Sequence, residues 1–331
     1  MRGTLAFLLI LALSGYSLAS ENQTSDIEER MSPGELRNNE ADQPQTRSPI
    51  DMAYGAYQRG WYLTAFQLAL PRAQNGDAAA QTLIAELYDK GLGIARDPKE
   101  SASWYALAAE AKNREAQFVY GMKLIKGTNI SRDLELGVQY LQEAAEAGHP
   151  LAQFNYANHL IDQRPTSATY RIALPLYERA AENRVTDAVY ALAAIYREGL
   201  ATGINDMKRA IAYLKRAAAD GHDTAQVELG IELLKAEYIE KDNKQALRWF
   251  RLAAGNGNAI AQNRLSHMLF EGIGTKADPV AGAKWHIIAN RAGRRDPQLD
   301  FYLNALSKEE RNKAVKEADR WPSSAKELSL Q

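Results

Sequence analysis

Histidine is the residue type in this chain best suited to bind a metal or to transfer a proton near neutral pH. No two of the five histidines stand four residues apart, and the zinc-binding pattern H-E-x-x-H is absent. The chain also has no cysteine, which excludes disulfide bonds, thiolate ligands and a cysteine nucleophile. We therefore predict no metal site and no cofactor. The histidines are His149, His159, His222, His267 and His286.

Two glycine pairs resemble parts of phosphate-binding loops. They are Gly91-Leu92-Gly93 and Gly272-Ile273-Gly274. Neither continues into G-x-G-x-x-G or a Walker sequence, and neither follows a predicted strand. The serines do not form the G-x-S-x-G pattern of a hydrolase nucleophile. The sequence therefore predicts that the chain is not an enzyme.

Both glycine pairs belong to a unit that recurs about six times. Its opening, Ala80-Gln81, is followed by related pairs at steps of 36, 36, 36, 37 and 36 residues, and its closing pair, Ala108-Ala109, recurs with the same single extra residue in the fourth unit. A period in this range indicates stacked supersecondary units. The later openings are Ala116-Gln117, Ala152-Gln153, Ala188-Val189, Ala225-Gln226 and Ala261-Gln262.

Each unit has the pattern of two helices joined by a turn. In the first unit a large residue followed by a small one, Ile84-Ala85, lets a neighbouring helix approach closely. Gly91 is predicted to end the first helix, and Asp97-Pro98 to begin the second as an N-cap and first helical residue. Trp104-Tyr105, just before the alanine pair, is predicted to wedge between units. A hairpin of this kind cannot bury its faces alone, so the units must stack.

The units resemble the Sel1-like repeat, a longer relative of the tetratricopeptide repeat. The template that they share with it is A-Q-x-x-L-G-x-x-Y-x-x-G-x-G-x-x-x-D-x-x-x-A-x-x-W-Y-x-x-A-A. The sixth unit keeps Gly272, Gly274, Asp278 and Trp285, whereas the third has Gln163-Arg164-Pro165 in place of the glycines. The resemblance implies an all-α, right-handed solenoid of αα-hairpins, with about six repeats plus degenerate caps, of the exported bacterial type. It also implies an adaptor without catalytic activity.

The two ends of the chain differ from the repeats. Residues 1–19 carry an apolar run from Leu5 to Leu13 and then Ser17-Leu18-Ala19, which predicts a signal peptide cleaved after Ala19. The run is shorter than the roughly 20 residues of a membrane-spanning helix. Residues 20–49 are acidic and lack aromatic side chains, which predicts a disordered leader. We assign residues 50–75 to a capping hairpin, 76–293 to the repeat array, and 294–331 to C-terminal capping helices and a tail.

A second row of side chains follows the first helices, at the positions two, six and nine residues after the opening alanine. At 100° per residue this row lies opposite the core positions. Two explanations stay open: the row is buried between neighbouring helices, or it is an exposed apolar groove that binds a partner. The candidate partner-binding residues are Phe118, Met122, Ile125, Phe154, Asn158, Ile161, Tyr190, Val227, Ile231, Leu234, His267 and Phe270.

We predict a periplasmic protein–protein interaction scaffold or signalling regulator that holds its partner on the concave face of the solenoid. The expected partner is another protein, such as an envelope sensor or an assembly complex. The alternatives are a cell-wall (peptidoglycan)-associated protein and a secreted host-interaction factor. The net charge of −1 gives no case for nucleic acid or a membrane surface as partner, and we expect no stable membrane anchor.

Overall fold

The computed structural model describes residues 49–321, and every regular element in that range is a helix. The predicted signal peptide, residues 20–48 of the predicted leader and residues 322–331 of the predicted tail lie outside the described residues. No described helix is long and apolar enough to span a membrane. The helices are α1 (Pro49–Gln58), α2 (Tyr62–Gln74), α3 (Ala78–Lys90), α4 (Pro98–Glu110), α5 (Arg114–Lys126), α6 (Leu134–Glu146), α7 (Pro150–Gln163), α8 (Ser167–Glu182), α9 (Thr186–Glu198), α10 (Met207–Ala219), α11 (Asp223–Lys235), α12 (Asn243–Gly255), α13 (Ala259–Glu271), α14 (Pro279–Arg291), α15 (Pro297–Ala305) and α16 (Lys308–Asp319).

From α1 to α15 the helices pack in chain order, each against the next. The six predicted units are the hairpins α3–α4, α5–α6, α7–α8, α9–α10, α11–α12 and α13–α14, and the second helix of each hairpin packs on the first helix of the following one. The hairpin α1–α2 precedes them, and α16 covers the last hairpin by packing on α14. The predicted all-α solenoid of αα-hairpins is confirmed.

The turns within the hairpins follow the predicted glycine and aspartate chemistry. Gly91 ends α3 in the left-handed conformation, with φ of 68°, and the Asp97 carboxylate accepts hydrogen bonds from the first backbone amides of α4. A Cβ atom on Gly93 would lie 2.6 Å from the backbone nitrogen of Leu63, and one on Gly274 would lie 2.3 Å from the carbonyl oxygen of Asn243. The second glycine of each pair therefore lets the turn pack on the second helix of the preceding hairpin.

The third hairpin turns differently because it lacks those glycines. Its first helix, α7, ends at Arg164, which is extended with φ of −157° instead of left-handed. Pro165 follows, and a proline disfavours the helical conformation in the residue before it. Thr166 then caps α8 by accepting a hydrogen bond from the backbone amide of Thr169. The substituted turn still brings α7 and α8 together as a hairpin.

The two helices of a hairpin approach closely where the small residue of the template lies. A Cβ atom on Gly121 of α5 would lie 2.8 Å from the carbonyl oxygen of Gly137 in α6, and the reverse distance is also 2.8 Å. In the last hairpin the Ser266 hydroxyl donates to the carbonyl oxygen of Gly282 at 2.8 Å. The repeat therefore fixes the spacing of its helices by backbone contact.

A glutamine side chain joins most neighbouring units. Four buried template glutamines donate their side-chain N–H to the carbonyl oxygen of the last closing alanine of the preceding hairpin, at N···O distances of 3.0 to 3.3 Å. In the fourth unit Val189 replaces the glutamine, and the carbonyl oxygen of Ala181 accepts instead from the Arg216 guanidinium of α10, at 2.5 Å. The four bonds join Gln81 to Ala73, Gln153 to Ala145, Gln226 to Ala218 and Gln262 to Ala254.

Candidate partner-binding surface

The predicted partner-binding row lies on the first helices α5, α7, α9, α11 and α13, as its spacing required. None of its members is fully exposed. Phe154 and Val227 are core residues with 7% and 4% of their surface accessible, and the other ten are half-buried. The side chains of the row therefore pack in the core, and most keep some surface in contact with solvent.

The half-buried members pack along one edge of the core. Phe118, Met122 and Ile125 of α5 lie against the buried cluster that includes Leu141 and Ala144 of α6. In the next three hairpins the row packs against the largest cluster of the core. Each of these side chains presents an outer edge that a partner would have to contact. The row members on that cluster's margin are Ile161, Tyr190, Ile231 and Leu234.

Two histidines form repeated joints between units. His149 begins α7 as its N-cap: Nδ1 accepts from the backbone amide of Ala152 at 3.1 Å, and Nε2 lies 2.9 Å from the Glu115 carboxylate. The imidazole stacks on the ring of Phe118, with centroids 4.5 Å apart. This joint links the start of one first helix to the face of the preceding one, and it uses a member of the predicted row.

The second joint repeats the first two units further along. His222 caps α11 through its Nδ1, which accepts from Ala225, and stacks on Tyr190 with centroids 4.2 Å apart. Its Nε2 lies 3.7 Å from Asp187. Burial lowers the pKa of His222, whereas in the first joint the hydrogen bond with the histidine lowers the pKa of the Glu115 carboxyl. The cap geometry requires a neutral ring that accepts at Nδ1.

The sequence interpretation considered these two histidines only as possible metal ligands and missed the joint. The signal that identifies it is a histidine three residues before an opening alanine, combined with an aromatic residue two positions after the preceding opening alanine. His149 with Phe118, and His222 with Tyr190, both satisfy this rule.

Polar bonds across the face hold several row members. The Tyr190 hydroxyl donates to Glu228 at 2.7 Å, and Arg197 binds the other oxygen of the same carboxylate at 2.8 Å. In the third hairpin the Tyr177 hydroxyl donates to the side-chain oxygen of Asn158 at 2.5 Å. Asn158 was predicted to face a partner, but its carbonyl oxygen is engaged within its own hairpin.

At the far end of the row, His267 is tied to the C-terminal cap. Its Nε2 lies 2.9 Å from the Asp296 carboxylate, which also accepts from Asn263 at 2.9 Å. Burial alone would raise the pKa of Asp296, but the hydrogen bonds from Asn263 and His267 lower it well below its usual range. Phe270 contacts Tyr302 of α15, with ring centroids 5.2 Å apart. This end of the row is therefore covered by the chain itself.

The chemistry available on this face is recognition by packing and hydrogen bonding. Within residues 49–321, no three histidine, aspartate or glutamate side chains are grouped as a metal site. The buried ring of His286 faces Asp300 at 2.7 Å, apart from the row. The arrangement of half-buried apolar side chains with a few fixed polar groups is the kind that contacts another protein.

A comparison with protein families matches the Sel1 repeat at residues 78–113, 114–149, 186–222, 224–258 and 259–293. The chain belongs to the Sel1-repeat family. Sel1-repeat proteins generally mediate protein–protein interactions, and the repeat is generally a non-catalytic scaffold fold. The third hairpin, with its substituted turn, lies between the second and third matched segments.

Two solved structures have the same architecture. A Sel1 repeat protein from Oxalobacter formigenes is 31% identical, with a TM-score of 0.64 over 74% of this chain and 97% of that one. A protective antigen of uropathogenic Escherichia coli with an SLR fold is 26% identical, with a TM-score of 0.71 over 83% of this chain. This chain spans 60% of the length of that antigen. A search of curated proteins found no match.

Proposed function

We propose that this protein is a periplasmic interaction scaffold or signalling regulator that binds a partner protein along the row of the first helices. Membership of the Sel1-repeat family supports a protein partner. The observation that carries the proposal is that ten of the twelve row side chains keep accessible surface at equivalent positions of successive repeats. Aligned apolar surface on consecutive helices offers an extended site for a peptide or helix.

The best-supported part of this surface is in the middle of the row. Phe154 and Val227 are too deeply buried to contact a partner, and His267 and Phe270 already contact Asp296 and Tyr302 of the C-terminal cap. Met122, Ile125, Ile161, Ile231 and Leu234 remain as apolar side chains with an accessible edge. These five define the binding surface that we propose, and we call it the middle row.

A photo-crosslinking experiment tests the middle row. A crosslinking amino acid at Ile161, in the full chain expressed in a bacterial envelope, should capture one defined envelope protein. The matched control is Ile172 of α8, an isoleucine of the same hairpin that is 61% exposed on the second helix. Capture from position 161 but not 172, abolished by Ile231→Lys in a folded protein, is expected. Equal capture from both positions would rule out the middle row as the partner site.

The export step is tested separately. N-terminal sequencing of the protein from a periplasmic fraction should begin at Ser20, because the small residues Ser17 and Ala19 fit the pattern that a signal peptidase recognises. An unprocessed protein that remains with the cytoplasmic fraction would contradict the proposed location.

A second candidate is a secreted host-interaction factor. The similarity to a protective antigen of uropathogenic Escherichia coli favours it. Recovery of the processed chain from the culture medium, with little in the periplasm, would favour this candidate over the first.

A further inference from the structure

The charges of this chain are segregated among the second helices. Helix α10 carries four basic residues and α12 carries three, and neither helix contains an aspartate or glutamate. Helix α6, at the equivalent place in an earlier hairpin, carries three glutamates and no basic residue. The net charge of −1 for the whole chain hides this separation.

Five of the seven basic side chains on α10 and α12 make no ion pair with any described residue. Arg209 lies 3.3 Å from Asp206, and Arg216 lies 3.7 Å from Asp220. The other five are exposed and have no acidic neighbour among the ion pairs of residues 49–321. We call them the basic face: Lys208, Lys215, Lys244, Arg248 and Arg251.

The repeat places four of these five cations in register. Lys208 and Lys244 each stand nine residues before the closing alanines of their helix, and Lys215 and Arg251 each stand two before. Along each helix the two positions are seven residues apart, which is about 10.5 Å. Because α11 packs against both α10 and α12, the two helices present neighbouring rows of positive charge.

A cavity opens beside the basic face. At the turn after α11, Tyr238 occupies the position that Gly93 and Gly274 hold in other hairpins, two residues after the helix C-cap. Those glycines let the turn pack directly on the preceding second helix, and a tyrosine is too large to do the same. Tyr238 borders a wide, open surface cavity of about 430 Å³, whose other lining residues are Met207, Lys208, Ile211, Ala212 and Lys215.

We propose that the basic face binds an acidic, extended segment of a partner protein. Its carboxylates would pair with the five cations, and one apolar side chain would enter the cavity between Lys208 and Lys215, on a floor that includes Met207 and Ile211. Glu198, Glu232 and Glu237 line an adjoining cavity of about 240 Å³ together with Arg197, and Asp206 and Asp220 pair with the two arginines of α10. Glu232 and Glu237 would orient the segment by repelling its carboxylates from their side of the face.

A protein segment fits this surface better than an anionic membrane. Binding to a lipid surface combines charge attraction with the burial of apolar groups, and Leu252 is the exposed large apolar side chain that α10 and α12 provide. The cavity would contribute nothing to binding a flat layer of headgroups. The basic face is on second helices, so it is separate from the middle row of the first helices.

Fluorescence anisotropy with the full chain tests the proposal. The probe is a labelled twelve-residue peptide with six glutamates around a central leucine, and its comparison peptide has glutamine at all six positions. We expect saturable binding of the glutamate peptide that weakens as salt rises. The double variant K215Q/R251Q should bind roughly three- to tenfold more weakly. The matched control K99Q/R171Q removes two exposed cations from α4 and α8, at positions equivalent to Lys208, and should leave the affinity unchanged.

Two results would overturn the proposal. One is equal loss of peptide binding in K215Q/R251Q and K99Q/R171Q, since charge alone would then explain it. The other is binding to phosphatidylglycerol vesicles that is tighter than to the peptide and is lost in K215Q/R251Q, which would identify a membrane surface as the occupant. Variants of the middle row should bind the peptide normally, so failure of this proposal and failure of the proposed function are distinguishable.

Discussion

Replacing Gly121 by alanine tests how tightly α5 and α6 are held together. The new Cβ would lie 2.8 Å from the carbonyl oxygen of Gly137 and 3.2 Å from the Cβ of Tyr140. Backbone atoms cannot move aside as a flexible side chain does, so the helices must separate by several tenths of an ångström. Overpacking of this kind costs about 1–3 kcal/mol.

Alanine also has an advantage in a helix, which partly offsets that cost. Gly→Ala within a helix stabilises by about 0.5–1 kcal/mol. The net expectation for Gly121→Ala is a loss of about 1 kcal/mol, and at most about 2.5 kcal/mol, in the free energy of unfolding. Adding Gly137→Ala should cost less than the first substitution did, because the same two helices would already have moved apart.

Urea denaturation followed by circular dichroism measures the effect, together with amide hydrogen exchange in α5 and α6. Amide hydrogen exchange is needed because repeat arrays do not always unfold in a single step, so a global urea transition need not report the local stability of α5 and α6. The control is Gly255→Ala, in the last turn of α12, where no heavy atom lies within 4 Å of the new Cβ. That control should be neutral or slightly stabilising. If Gly121→Ala is as stable as its parent, the close contact does not limit the spacing of the hairpin.

Two further predictions concern the helix caps. Burial lowers the pKa of His222, so the folded state binds fewer protons than the unfolded state, and stability should decrease as pH falls below about 6.5. The substitution His222→Asn introduces the cap residue that occurs at Asn113 and Asn258. It should reduce the difference between the melting temperatures at pH 7.5 and pH 5. An unchanged difference would contradict this prediction. Asp97→Ala should destabilise by about 1 kcal/mol in urea denaturation, and Asp97→Asn by much less, because asparagine also caps helices well.

The sequence was sufficient to predict the fold because the residues that end, cap and space the helices recur at the same positions in several units. Gly91, Asp97 and Gly121 have roles that follow from backbone conformation and close contact, and the structure gives them those roles. The hairpin stacking follows from the period itself. The third hairpin is assigned from the hairpins on either side of it, since its turn at Arg164 lacks the template glycines.

The candidate surface was harder to predict, for a geometric reason. Helical periodicity separates two faces of a helix, but the depth of a residue depends on the neighbours that pack above it. Phe154 and Ile161 share one row of α7, yet the first is a core residue and the second is half-buried. A summed net charge also could not reveal the basic face, because the acidic residues that balance it are on other helices.

The glutamine bonds between hairpins bear on how such an array can grow or shrink during evolution. A segment of one period that starts at the opening alanine of the first, third, fifth or sixth unit brings its own junction glutamine, whereas Gln117 of the second unit donates to Glu143 of its own hairpin. The fourth unit is different, since the side-chain donor to the carbonyl oxygen of Ala181 is Arg216, in the second helix of that unit. Exchange of α9 alone by recombination would leave this donor in place, whereas loss of α10 would remove it, so in this unit the junction bond is inherited with the second helix.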